Sequence, residues 1–161
     1  MSVSVGTIYA FIDSQNLNLG VKSLGWKLDW QKLRQYLRNK YGVTKAYLFI
    51  GYVPSNGALY TSMQKKGYIV ILKPTMGLPS GKVKGNVDAE LVLHTMIEYD
   101  NYSKAIIISG DGDFFCLVEY LVKNQKLLHL ITPNMSYSKL FKQYSTFIVR
   151  MDQLRGSLEY K

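Results

Sequence analysis

The stretch Lys104-Ala105-Ile106-Ile107-Ile108-Ser109-Gly110-Asp111-Gly112-Asp113-Phe114 decides the fold class. Three consecutive isoleucines leave no polar alternation, so the run reads as a strand buried on both faces, the kind found in parallel sheets sandwiched between helices. Glycines and aspartates then end the strand in a tight turn, and Phe114–Asn124 resumes at helical spacing. Strand, turn and helix in that order form the repeating unit of an α/β protein.

The same unit recurs outward from this stretch. Thr7–Asp13 is a nearly continuous apolar strand that ends on a carboxylate. Leu28–Tyr41 carries Trp30, Leu33, Leu37 and Tyr41 at helical spacing, with Asp29 as a cap and Gly42 as a stop. A strand at Lys45–Tyr52, a helix at Ala58–Lys66 and a strand at Tyr68–Lys73 lead into a basic loop holding Pro74, Gly77, Pro79, Gly81 and Gly85. Val87–Tyr99 reads as a helix, Leu127–Ile131 as a strand and Ser138–Tyr144 as a short helix. Thr146–Met151 is the final strand and Leu154–Glu159 a helical tail. The alternation predicts a three-layer α/β fold with a mainly parallel sheet, in one domain over residues 1–161.

Composition narrows the function. At 161 residues with 47% hydrophobic and 19% charged side chains, the chain has the makings of one packed core. No apolar run approaches the roughly 18 residues a membrane span requires. The first residues, Met1–Val5, do not form an export signal, and the single cysteine, Cys116, builds neither a disulfide nor a multi-cysteine zinc site. A cytoplasmic protein is expected, with Cys116 as a small buried residue and His129, between two leucines, as a structural one. The net charge of +9 points to a phosphate-rich partner.

The scarce acids carry the chemistry. In open parallel sheets, ligands bind beyond the carboxyl ends of the strands. There stand Asp13, Asp111 and Asp113, with Asp88 opening the helix after the glycine-rich loop. Carboxylates brought together repel, and a hard divalent cation such as Mg²⁺ or Mn²⁺ relieves them. Helix capping accounts for Asp88, Asp111 or Asp113 singly, but on this reading not for Asp13 or for a doubled Asp-Gly-Asp. Gly110 and Gly112 are read as spacers that let both aspartates converge. Other acid-bearing folds fail on spacing. Gln15 stands where a haloacid-dehalogenase-type phosphatase needs its second Asp, and no Gly-x-Gly-x-x-Gly follows the first strand.

Three ordered motifs, Phe11-Ile12-Asp13-Ser14-Gln15-Asn16-Leu17, Lys84-Gly85-Asn86-Val87-Asp88 and Ile108-Ser109-Gly110-Asp111-Gly112-Asp113-Phe114, resemble those of the NYN domain, a branch of the PIN-like nucleases. The resemblance implies a Rossmann-like, PIN-like α/β/α fold and a metal-dependent ribonuclease, with endonucleolytic cleavage the favoured mode. Its acids fall on Asp13, Asp88, Asp111 and Asp113, which would hold Mg²⁺ or Mn²⁺, with Asn16 as the companion amide. One position departs: family members often carry another Asp where this chain has His94. That departure motivates an alternative, an RNA-binding or adaptor module that keeps the fold without efficient catalysis.

The expected partner is RNA, single-stranded or looped, and a homodimer stays open. Lys73, Lys82 and Lys84, around the loop that leads to Asp88, are first candidates for phosphate contacts, with Ser109 beside the acids. Lys22, Lys27, Arg34 and Arg38 read first as solvating charges on helix faces. Tyr52 and Tyr60, at another strand-to-helix turn, offer either base stacking or packing.

Overall fold

The structure, a computed structural model, describes residues 6–52, 54–74 and 87–161. Among them six strands form one sheet: β1 (Ile8–Asp13), β2 (Val43–Gly51), β3 (Tyr68–Lys73), β4 (Lys104–Ile108), β5 (Leu127–Thr132) and β6 (Ile148–Arg150). Their spatial order is β3-β2-β1-β4-β5-β6, and every neighbouring pair is parallel. The helices are α1 (Ser14–Lys22), α2 (Trp30–Tyr41), α3 (Gly57–Lys65), α4 (Asp88–Ile97), α5 (Phe115–Lys123) and α6 (Arg155–Leu158).

All six residues of β1 are buried, and its side chains divide between two cores. Ile8, Ala10 and Ile12 pack with Leu17 and Val21 of α1, Leu33 and Leu37 of α2, and Leu158 of α6. Tyr9 and Phe11 point the other way, to Leu91 of α4 and to Leu117, Val118 and Leu121 of α5. Phe11 stacks on Tyr47 with ring centroids 5.2 Å apart. Each Ile, Leu, Val or Phe among them contributes roughly 1.5–3 kcal/mol on leaving water, so both helical layers are held by β1 and its neighbours. The result is the expected Rossmann-like three-layer fold, with a sheet that is parallel throughout.

Local chemistry sets the helix ends. Asp29 accepts the Lys32 N–H at 3.1 Å and so caps α2. Gly42 ends that helix in the left-handed conformation at φ 74°, which costs a side-chain-bearing residue about 1 kcal/mol. Helix α1, in contrast, is not announced by hydrophobic period. Only Leu17 and Val21 of its nine residues are buried, too few to draw a stripe. After β5 the backbone tightens into 3₁₀ turns at Lys139–Phe147, kinked at Tyr144, where a short helix was expected over Ser138–Tyr144, and at Met151–Leu154, between β6 and α6.

Cys116 corrects another expectation, since it is exposed. The apolar run Phe114–Val118 is longer than the stripe α5 can turn toward the sheet, and Cys116 falls on the outer side while Leu117 and Val118 face inward. His129 does sit structurally, its Nδ1 3.1 Å from the Phe147 carbonyl and its ring against Tyr41. No helix among the described residues is long and apolar enough to cross a membrane.

Leu37→Ala, in the core under α2, is expected to lower unfolding free energy by about 2–5 kcal/mol in urea titrations. Leu24→Ala, at a position 45% exposed, should stay within about 0.5 kcal/mol of the parent.

Candidate metal centre

The topology makes a crevice before any side chain is considered. After β1 the chain enters α1 on one face of the sheet, and after β4 it enters α5 on the other. Because β1 and β4 are neighbours, a gap opens beyond their carboxyl ends, the usual ligand position in open α/β sheets. Asp13 is the last residue of β1, Asp111 lies in the turn after β4, and Asp88 opens α4 from across the gap. One carboxylate oxygen from each lies within 4.8 Å of the other two. Asp13 is buried and the other two are half-buried. They line an open cleft of about 210 Å³ together with Gln15, Asn16, Leu19 and Val87.

A short polar network holds the acids in place. Asp13 Oδ1 accepts the Asn16 N–H at 3.2 Å, and its Oδ2 accepts the Ser109 hydroxyl at 3.5 Å. Ser109 Oγ accepts the Asp111 N–H at 3.1 Å, so one buried hydroxyl links two of the carboxylate-bearing residues. The Asn16 side-chain oxygen accepts the Gly110 N–H at 2.9 Å, which ties the first turn of α1 to the turn after β4. Asp111 Oδ1 accepts the Asp113 N–H at 2.9 Å.

Two of these bonds are helix caps. Asp13 caps α1 and Asp111 caps the 3₁₀ turn Gly112–Phe114, so capping does account for Asp13 and for the first acid of the doubled pair, against the expectation from sequence. Capping and metal binding are not exclusive, because an ionised carboxylate offers about four lone-pair sites.

The electrostatics favour a cation. Burial pushes the Asp13 carboxyl above the usual carboxylate range, and the nearby charge of Asp111 pushes it further. The hydrogen bonds from Asn16, Ser109 and Gln15 pull it back in part. Since the folded protein holds this proton more tightly than the unfolded chain, stability falls as pH rises from the ordinary Asp range through the raised value, and stays lower above it. The donors are all hard oxygens, with no thiolate or imidazole in the group, a set suited to Mg²⁺ or Mn²⁺.

The remaining expected site residues divide. Asp113 is exposed and lies outside the three-acid group, meeting Asp111 through its backbone. Ser109 is fully buried beneath Asp13, where it positions the acids and has no surface to offer a substrate. Lys73 lies 3.6 Å from Glu90, which directs Glu90 toward β3. His94 does not line the cleft, and its ring packs 5.6 Å from that of Phe49. Lys82 and Lys84 lie outside the described residues, as does the Gly85-Asn86 part of the second motif. Gln15 and Leu19 line the cleft without having been singled out. Their signal is their place on α1, legible only once Asp13 is recognised as its cap.

The two glycines also separate. A Cβ on Gly112 would meet Ser138 Oγ at 2.5 Å, whereas one on Gly110 would find its nearest neighbours at 3.4 Å. The need for glycine therefore sits at Gly112 and arises from the segment packed over the turn, not from the convergence of the aspartates.

The doubly wound parallel sheet with acids clustered at its crossover gap defines a Rossmann-like protein with a candidate metal site. The chain belongs to the NYN domain family, whose model matches residues 7–154, and whose members are generally RNA-binding nucleases. It is similar to the Low amplitude and bright protein LabA of Synechococcus elongatus, at 21% identity over 92% of this chain and 86% of that protein. It is also similar to the crystal structure of a protein of unknown function from Vibrio parahaemolyticus, with a TM-score of 0.82, 20% identity and 99% of each chain covered. At these identities the likeness speaks for the fold.

Asp13→Asn keeps an oxygen for capping α1 but removes the buried charge. Without divalent metal at pH 7 it is expected to melt no lower than the parent, and in Mn²⁺ it is expected to lack the rise in Tm expected of the parent. A clear fall in metal-free Tm would contradict the raised Asp13 carboxyl. Gly112→Ala should cost about 1–3 kcal/mol by displacing Ser138, with Gly110→Ala the milder change in thermal melts.

Proposed function

We propose that this chain is a divalent-metal-dependent ribonuclease that hydrolyses RNA phosphodiester bonds endonucleolytically. The observation that supports it most is the meeting of Asp13, Asp88 and Asp111 oxygens within 4.8 Å in an open cleft at the sheet's crossover gap. These three residues would hold Mg²⁺ or Mn²⁺. Such an ion, when bound, makes a water nucleophilic near neutral pH and offsets charge building on the phosphate.

The chain's own groups do the rest. Ser109 and the Asn16 N–H fix the Asp13 carboxylate so that its free lone pairs face the cleft. The Asn16 side chain, anchored on Gly110, sets the spacing between the β1 and β4 turns and hence between Asp13 and Asp111. Asp113 braces Asp111 from the rim through its backbone N–H, and its carboxylate remains a candidate for orienting a water or leaving group. Lys73, Lys82 and Lys84 remain the first candidates for phosphate contacts around the loop before Asp88, with Lys73 shared with Glu90.

A second reading, an RNA-binding module with weak catalysis, draws on the size of the acid group, three residues with Asp113 outside it. Incubating the protein with a fluorescent single-stranded RNA separates the two. Cleavage in Mn²⁺ that stops in EDTA and falls at least a hundredfold in Asp111→Asn is the expected result. Asn at 111 retains an oxygen for the Asp113 N–H, so loss of activity reflects the lost ligand and not a lost turn. Cleavage that persists in EDTA would refute the proposal. Salt-sensitive binding with no detectable Mn²⁺ affinity would establish the binding module instead.

A further inference from the structure

The positive charge of this protein is not evenly spread. Residues 14–73 hold ten of the 20 Lys and Arg and a single acid, Asp29. Residues 88–123 hold seven of the 11 acids and only Lys104 and Lys123. A polyanion that reaches the acidic cleft is therefore drawn from the α1–α2–α3 side and repelled by the α4–α5 side.

That side contains a second cavity, of about 340 Å³, between α1 and α3 and floored by the start of α2. Helix α1 is the wall between the two spaces. Ser14 and Asn18 face this cavity, while Gln15, Asn16 and Leu19 face the acidic cleft. Lys22, Lys27 and Lys66 line it, and among the described residues none of them has a carboxylate within 4.0 Å. Lys66 Nζ meets only a neutral partner, the Ser62 hydroxyl at 2.6 Å, and Lys27 Nζ sits 4.6 Å from the centre of the Tyr160 ring. The 56% exposed Tyr160 lines the same space, as does Trp30, which is half-buried with its ring against Tyr68. Its one acid, Asp29, is engaged in capping α2. The cavity on the opposite flank, about 290 Å³ beside Pro133 and Asn134, has no charged side chain in its wall.

Cations without carboxylate partners beside aromatic rings are the combination that binds single-stranded nucleic acid, the charges following the backbone and the rings stacking on bases. We infer that the cavity between α1 and α3 is a nucleotide subsite that receives single-stranded RNA flanking the scissile phosphate, with Lys22, Lys27 and Lys66 on its backbone and Trp30 and Tyr160 against an unpaired base. The subsite rests on the ribonuclease reading and specifies its substrate, an unpaired strand that passes over the N-terminus of α1. Duplex RNA does not fit this use, because its bases are stacked inward and its edges are all that side chains reach.

The test measures binding apart from cleavage. A labelled oligouridylate of about 12 nucleotides is titrated in EDTA against the parent, the triple variant Lys22→Ala, Lys27→Ala, Lys66→Ala, Tyr160→Ala, and a control pair Lys139→Ala, Lys142→Ala. Each variant's Tm is checked first. The triple variant is expected to bind at least tenfold more weakly, with the slope of log affinity on log salt reduced by roughly 2, and Tyr160→Ala several-fold more weakly. The control pair should bind within about twofold of the parent, and intrinsic fluorescence should be quenched by the oligonucleotide in the parent but not in Trp30→Phe.

Binding by the folded triple variant within twofold of the parent would overturn the subsite, as would tighter binding of oligothymidylate or of duplex RNA. Cleavage is scored separately in Mn²⁺. A parent that cleaves while the triple variant binds normally loses the subsite and keeps the ribonuclease reading. A parent that never cleaves but binds through these lysines keeps the subsite and loses the ribonuclease reading.

Discussion

Six consecutive residues of β1 are buried on both sides of the sheet, and a parallel strand so placed exists only where helices cover both faces. Ile8, Ala10 and Ile12 engage one helical layer, and Tyr9 and Phe11 the other. From this follows the rest of the architecture. The chain must cross the sheet to supply helices to both layers, and the crossing leaves a gap between β1 and β4. The residue that ends β1 at that gap is a carboxylate, so the strand that organises the core also delivers the first acid of the candidate site.

Holding Asp13 there has an energetic consequence. A carboxyl that is 5% exposed and near another acid resists ionisation, and the fold answers with partial compensation. The Asn16 N–H and the Ser109 hydroxyl stabilise the charge, yet burial still dominates. The site is thus built to keep three acids close at some expense of metal-free stability, which is the condition under which a divalent cation binds well. The Asn16 N–H bond that stabilises the charge also caps α1, and the Asn16 side chain joins the β1 and β4 turns, so one residue supports both the structure and the spacing of the acids.

The distribution of charge outside the cleft completes the picture. A net charge of +9 says only that anions are attracted. Its concentration over residues 14–73, against an acidic stretch over residues 88–123, gives the attraction a direction across α1. Lys22 and Lys27, which look like solvating charges on a one-dimensional chain, turn out to share a concave wall with Lys66, which follows the last residue of α3 some forty residues away. Lys73, a first candidate on proximity, is partly occupied by Glu90.

Much of this was legible in one dimension. The isoleucine run of β4, the apolar β1 and the strand–turn–helix alternation determine a parallel three-layer fold, because runs without polar alternation cannot lie at a surface. The same pattern places Asp13, Asp88 and Asp111 beyond strand ends, on one edge. Helix α1 escaped this logic because it buries too few residues to be periodic, and Cys116 because an apolar run does not reveal which of its members faces outward. Which acids meet is a matter of distances between elements that sequence spacing does not contain. Asp111 joins the group while Asp113, two residues on, turns to the rim, since the 3₁₀ turn that Asp111 caps rotates successive side chains by about a third of a turn. The sequence by itself determines that acids gather at the carboxyl edge of a parallel sheet in a basic protein. Only the tertiary packing decides which three converge and what holds them, because the distances between the β1 turn, the β4 turn and the start of α4 are set by contacts between elements remote in sequence.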